Sequence, residues 1–403
     1  MKKMLSVFFS LLLLLCLFGC SKIQVAQYTP TVDLTDPFVG FRKESTRTVD
    51  LESYTRIALA ELEDYQSKYA DYGETCYFDT LEPEQQTVYH IIQYAMDHAM
   101  PCLFIDKRVL PDIESEMELI LHCLALDQPL LEQNLHWSYG VATVEISNPI
   151  LAAGANGQSV TGIVLEISEF TTEKMEKKEQ ALLVAGQILK DLPATATPRE
   201  KAEYLYRYLG ANVEYHVAED RGPERDYLYD ALVERKTLCD GFANAYSLLC
   251  NMAGVPCVEK EYTNKDGSGH TWNAVFLDGV WYNVDATAAK ESNDGNSLLT
   301  HFCFPDELLK TAADYEDRAP KCEKYLVPPD VTVSNIAEVG ALVKTAWNTV
   351  KETDRDYVVV RFPDGEQTKD VMQEISNALR CGISYYCEKT RTGEAIYYIL
   401  LKE

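Results

Sequence analysis

The chain switches between two hydrophobic periods. From Glu84 to Ala99 apolar residues recur near helical spacing at Val88, Ile91, Ile92 and Ala95, and Pro101 stops the run; residues 115–126 repeat the theme. Residues 50–125 therefore read as helices. The period then becomes two: residues 139–147 and 162–168 alternate apolar and polar, as half-buried strands do, with a Gly-containing hairpin loop between them. A charged helix is expected from Glu173 to Leu192, ended by Pro193. Thr197 and Glu200 make a capping box for the next helix, which carries Ala202, Leu205, Tyr206 and Leu209 on one face.

Both periods meet between Thr237 and Thr287. Phe242, Tyr246 and Leu249 recur on one helical face, and Gly254 and Pro256 end that helix. Thr237 and Asp240 read as its capping pattern, which puts Cys239 in the first turn. Further on, Asp278-Gly279 sits between two alternating runs and signals a two-residue hairpin turn. Beyond Pro328-Pro329 the order is helix (residues 336–350), strand (357–362), helix (371–379) and a hairpin (384–388 with 395–401), a small α+β module. No catalytic pattern is found there; wall or partner binding and support of a cleft are the roles considered.

Composition narrows the class. With 403 residues the chain has room for two or three domains with real cores. A formal charge of −26 excludes phosphate-backbone binding, which needs a basic face, so no nucleic-acid partner is expected. Twelve cysteines are present, none in C-x-x-C spacing, so scattered buried thiols are expected rather than a disulfide framework or a zinc site. His90, His98, His122 and His136 have no metalloprotease-like array and read as structural or surface residues.

The N-terminus reads as an export signal. Basic Lys2-Lys3 is followed by an apolar run too short for a membrane span of about 20 residues. Leu17-Phe18-Gly19-Cys20 resembles the lipobox of bacterial lipoproteins. That resemblance implies removal of residues 1–19, lipidation of Cys20 and tethering to the outer face of a bacterial membrane. Residues 20–48, with two prolines and no periodicity, read as a flexible spacer. The rest divides into an N-terminal helical and β region (49–192), a core (193–325) and the C-terminal module (328–403).

The chemistry is carried by three residues. A thiol at a helix start faces unpaired N–H groups and the positive end of the dipole, which favour a thiolate. If the Asp278-Gly279 turn is a two-residue turn, Leu277 pairs with Val280, Ala274 with Asn283, Trp272 with Asp285 and His270 with Thr287. His270 and Asp285 then lie on one face as diagonal neighbours, about 7 Å apart between Cβ atoms. A one-residue slip would put them on opposite faces. A carboxylate there fixes the imidazole tautomer and leaves the other ring nitrogen for the thiol.

The segments LCDGFANAYSLLCNMAGVPC and GHTWNAVFLDGVWYNVDAT resemble the transglutaminase-like superfamily, over residues 195–305. The resemblance implies an α+β, papain-like fold: a helix bearing the nucleophile Cys239, packed on an antiparallel sheet bearing His270 as general base and acid and Asp285 as orienter. Outside the resemblance, the patterning adds a helical N-terminal extension, or a helical subdomain over residues 50–150, and the small C-terminal α+β module. Tyr229 is a candidate oxyanion donor beside the nucleophile's backbone N–H, with a core aromatic as the bland alternative; Trp272 and Trp281 are cleft-lining candidates, with packing the alternative. The calcium motif of animal relatives is not seen, so neither a metal nor a cofactor is expected. The expected reaction is thiol acyl transfer on an amide of a protein or peptide, including cell-wall peptide, by hydrolysis or transamidation. The alternative is a non-catalytic surface-binding or assembly module that keeps the fold.

Overall fold

The strands that open the fold lie where helices and a spacer were expected. The computed structural model describes residues 37, 39–42, 54–57, scattered positions from 59 to 67, and 72–402 apart from 133–135, 147–157, 169–171, 217–225, 266–267, 291–299, 315–316, 354, 364, 366–367 and 381. The signal segment and Cys20 lie outside the described residues. Strand β1 (Val39–Arg42) falls within the expected spacer, yet Val39 and Phe41 are buried. With β2 (Thr55–Arg56), helix α1 (Pro83–Asp97), β3 (Cys102–Asp106), helix α2 (Ile113–Asp127), β4 (His136–Ile146) and β5 (Gln158–Ser168) it builds an antiparallel sheet of order β2-β1-β3-β5-β4. The helical expectation for 50–125 thus holds for α1 and α2 and fails at β3, all five of whose residues are buried. A fully buried strand has no alternation to reveal it, and an apolar run that short reads equally as helix. Leu103, Ile105, Ile163 and Leu165 pack with Ile91, Ile92, Ile120 and Leu124 of α1 and α2 in one cluster.

The core follows. Helix α3 (Thr172–Leu189) and helix α4 (Pro198–Asn212) precede two short parallel strands, β6 (Glu214–Tyr215) and β7 (Lys236–Thr237). The capping box at the start of α4 is present, with Thr197 N–H donating to Glu200 Oε2 at 2.7 Å. Helix α5 (Cys239–Met252) comes next, then β8 (Cys257–Thr263), β9 (Gly269–Leu277), β10 (Val280–Val284) and β11 (Phe302–Phe304), antiparallel in the order β11-β10-β9-β8. Phe242, Tyr246 and Leu249 of α5 are buried against Val275, Leu277 and Val284 of the sheet, and Leu205 and Leu209 of α4 join them. Ala181, Ala185 and Ile188 place α3 in this same cluster, so the helix ahead of Pro193 packs with the core.

The turn between β9 and β10 has Asp278 and Gly279 both at positive φ (51° and 79°), as a type I′ hairpin requires. Pairing runs from Val280–Leu277 to Val284–Asn273 and stops there. The expected Trp272–Asp285 and His270–Thr287 pairs are not part of the ladder, because Asp285 N–H donates to His301 O instead (2.9 Å) and the chain turns toward β11.

The C-terminal module comprises β12 (Val331–Thr332), helix α6 (Ile336–Val350), β13 (Tyr357–Phe362), helix α7 (Thr368–Leu379), β14 (Gly382–Lys389) and β15 (Ala395–Lys402), in the order β12-β13-β15-β14. Strand parity divides its sheet. Val358, Val360, Tyr397 and Ile399 face α6 and α7, while Val359, Ile396 and Tyr398 pack on Phe304 and Leu308 of the core.

Candidate active site

Cys239 is the first residue of α5 and is half-buried. The N-cap is Leu238, not Thr237, and no side chain caps the helix, so the expected capping pattern is corrected. Thr237 instead packs over Gly241: a Cβ there would fall 1.9 Å from Thr237 Oγ1, which accounts for glycine in the Cys-Asp-Gly run. Asp240 reaches across, its Oδ1 accepting from Thr271 Oγ1 at 2.6 Å. The residue after the thiol is thereby tied to the residue after His270.

His270 is the second residue of β9 and shares a face with Trp272 and, on β8, Tyr262; its ring is near-parallel to that of Trp272 (16°, centroids 6.2 Å apart). Its Nε2 lies 2.8 Å from Asp285 Oδ2. The other carboxylate oxygen of Asp285 accepts from Thr287 N–H at 3.1 Å. Cys239 acts on the imidazole electrostatically, while its Sγ lies 3.9 Å from Asp240 Oδ2. Burial alone would lower the His270 pKa, but the Asp285 and Cys239 contacts outweigh it and push it up to about 10. For Asp285 burial acts upward, and the His270 hydrogen bond and charge pull the carboxyl below its ordinary range. The pair therefore favours an imidazolium held against a carboxylate. Close by, Glu261 is pushed up to about 7 by burial and by the Asp240 and Asp314 charges.

A cleft of about 550 Å³ opens beside the imidazole, with His270, Asp285, Trp272 and Tyr262 in its walls. Trp272 is nearly buried and its Nε1–H donates to Asn283 Oδ1 at 3.0 Å, so it packs and lines at once. Trp281 stands at the turn end of the hairpin, paired with Phe276 and packed toward the α1/α2 cluster, not in this cleft. Tyr229, in the helical turn Tyr227–Tyr229, is also absent from the cleft walls; Lys177 Nζ of α3 lies 5.6 Å from its ring centroid. His90 stacks on Phe78 and His98 on Tyr94, while His122 Nε2 lies 3.3 Å from Glu261.

Sequence reasoning missed Asp240, Thr271, His301 and Glu388. Asp240 and Thr271 carried a signal in their adjacency to the thiol and the imidazole. His301, whose carbonyl holds Asp285 N–H, and Glu388, which enters the cleft from β14, carried none. All nine described cysteines are free thiols. Among the described residues no group of three or more His, Cys, Asp or Glu side chains is placed to hold a metal ion.

This arrangement, a helix starting at a cysteine and packed on an antiparallel sheet with histidine and aspartate, is a transglutaminase-like, papain-like fold. Residues 187–286 match the transglutaminase-like superfamily. The chain is similar to the kyphoscoliosis peptidases of Homo sapiens (32% identical over 146 residues) and Mus musculus (34% over 147 residues). Each match covers 32% of this chain and 22% of the relative, so the chain spans about a fifth of the length of the curated relatives it matches. Among solved structures, the periplasmic domain of TgpA from Pseudomonas aeruginosa aligns at 15% identity and a TM-score of 0.23, covering 36% of this chain and 59% of that one.

Proposed function

We propose that the transglutaminase-like domain is a thiol-dependent enzyme that transfers the acyl group of a protein or peptide amide. The observation that carries this reading is the 2.8 Å contact between His270 Nε2 and Asp285 Oδ2, on the sheet against which the helix that starts at Cys239 is packed. In the proposed reaction the Cys239 sulfur attacks the carbonyl carbon. Its proton, held by His270, passes to the leaving amine as the C–N bond breaks and a thioester remains. Water or a second amine then attacks the thioester, giving up a proton to His270, and the C–S bond breaks. Asp285 orients the ring and balances its positive charge throughout. Backbone N–H groups of the first α5 turn, which have no intrahelical partner, are the donors on offer for the carbonyl oxygen.

The peptidase name of the curated relatives supports hydrolysis as the outcome. Lipidation of Cys20 would hold the enzyme at the outer face of a bacterial membrane, where cell-wall peptides are available substrates; Lys2-Lys3, the short apolar run and Leu17-Phe18-Gly19-Cys20 support this part. The test is product profiling. The purified full chain and its Cys239→Ala variant are incubated with a mixture of peptides and cell-wall fragments, and products are identified by mass spectrometry. New amine termini or new amide cross-links formed by the wild type and not by the variant are expected. Identical product sets would refute the reading.

A further inference from the structure

Two carboxylates lie on the side of β8 and β9 that faces α5, the helix that Cys239 starts. Glu261 of β8 stands directly opposite Thr271 of β9, so their side chains share a face. There the Thr271 hydroxyl donates to Asp240 Oδ1 at 2.6 Å, and Cys239 Sγ lies 3.9 Å from Asp240 Oδ2. A third carboxylate, Asp314, runs along the outer edge of β8. Its N–H donates to Glu261 O at 2.7 Å, and its Oδ2 accepts from Thr263 N–H at 2.7 Å. Helix α2 brings His122, whose Nε2 lies 3.3 Å from Glu261 and whose charged form burial opposes, with Glu118 beside it. Glu259, two residues back on the same strand face, accepts from Asn244, and the Tyr77 hydroxyl donates to Glu259 O at 2.9 Å. Lys260 belongs to the opposite face of β8 and pairs with Asp306 at 2.8 Å.

The sulfur is therefore subject to opposed fields. The α5 terminus offers it unpaired N–H groups and the positive end of a dipole, and His270 adds an imidazolium. Asp240 and Glu261 act the other way. Resting on Cys239 as the nucleophile of the acyl-transfer reading, we infer that Asp240 and Glu261 are positioning residues that hold its sulfur in an anionic surrounding and strengthen it for attack. A thiolate beside like charge is more basic and so the better nucleophile, and the repulsion vanishes once the sulfur becomes a neutral thioester. Asp240 supplies a standing charge at the sulfur. Glu261 supplies a second that varies with pH: burial first, then the Asp240 and Asp314 charges, push its carboxyl up to about 7. It is neutral below that value and negative above it. Thr271 keeps the two together, as hydrogen-bond donor to one and ladder partner of the other.

The experiment compares two alkylating reagents that differ in charge. Iodoacetamide is neutral and iodoacetate carries one negative charge; with each, the sulfur displaces iodide and a C–S bond forms. The ratio of the two rates at Cys239, resolved by peptide mapping of the full chain, cancels the thiolate fraction and reports the potential at the sulfur. It is normalised to the same ratio at Cys387 in the C-terminal module. In the wild type the iodoacetamide-to-iodoacetate ratio is expected to rise about threefold from pH 6 to pH 8, the size of one added charge roughly 10 Å away in partly solvated protein. Glu261→Gln flattens that rise. Asp240→Asn lowers the ratio about threefold or more at every pH, while its amide oxygen still accepts from Thr271. A purely structural role for either carboxylate would not discriminate between reagents by charge. The same ratio in all three proteins, or a rise that persists in Glu261→Gln, overturns the inference and leaves the thiol chemistry standing. Failure of the acyl-transfer reading shows separately, as a Cys239 that iodoacetamide labels no faster than Cys387 and that His270→Ala leaves unchanged.

Discussion

The core and the C-terminal module are both four-stranded sheets packed against helices, but their interiors are made of different chemistry. Inside the module the sheet-to-helix contact is mostly aliphatic, with Val339, Val343, Val358, Val360, Val371, Ile375 and Ile399 beside the aromatic pair Phe362 and Tyr397. The core interleaves its apolar contacts with a polar seam. Asn244 Nδ2 donates to Glu259 Oε1 at 2.7 Å, and Asn273 Nδ2 to the carbonyl of Ala243 at 2.9 Å. On the other face Asn283 accepts from Trp272 and donates to Asp306 at 2.9 Å, and Lys260 Nζ donates to the same carboxylate at 2.8 Å. Such buried bonds add little net stability, since water satisfied the same groups before folding. Their directionality is the gain. An aliphatic contact tolerates small sliding, whereas a seam of donors and acceptors fixes how α5 sits on β9, and with it how the thiol meets the imidazole.

The contrast can be broken at four points, from the largest effect to the smallest. Asp285→Ala removes the partner of His270 Nε2 and should lower kcat/KM by about 10³-fold or more, measured on any substrate found by product profiling. Asn283→Ala strands the Trp272 N–H, removes one donor each from Phe304 O and the Asp306 carboxylate, and should destabilise the fold by about 3 kcal/mol in urea unfolding. Thr271→Val severs the tie to Asp240; kcat/KM should fall about tenfold while the unfolding midpoint changes little. Ile399→Val in the module should cost about 1 kcal/mol and leave acyl transfer intact. If Thr271→Val and Ile399→Val change stability and rate in the same proportion, the distinction between positioning seam and aliphatic interior fails.

Ionisation sharpens it further. The His270 pKa rises from 6.5 to about 10 on folding, so the folded state holds that proton more tightly. The Asp285 pairing therefore stabilises in full below 6.5 and fades as pH climbs through about 10. The stability difference between wild type and His270→Ala should shrink across that window in urea unfolding followed at several pH values.

What the sequence exposed follows from how local each feature is. The hairpin turn is written in Asp278-Gly279 alone, and the register out to Asn273 follows from it. The ladder ends before Asp285 because of His301, a partner outside the hairpin, which no count along the hairpin contains. Helix α6 and strand β13 have the ends their patterns gave, since the amphipathic stripe on α6 and the run of residues 357–362 are local signals. Strand β3 hid because burial on both faces erases alternation. Asp240 was read as a cap because the local pattern offered that use; the structure gives its carboxylate to Thr271, a contact set by the packing of α5 on β9. The module's share of the cleft was hidden for the same reason, since Glu388 reaches it only through the docking of one sheet face on Phe304 and Leu308.

The most direct test is the rate at which iodoacetamide alkylates Cys239, resolved from the other thiols by peptide mapping and followed across pH in the wild type and in His270→Ala. Activation by His270 predicts that Cys239 is labelled faster than the other described thiols at every pH, and that His270→Ala abolishes this lead. Labelling of Cys239 no faster than that of half-buried Cys76 and Cys387, and equal in both proteins, would contradict the thiol–imidazole pair on which the account stands.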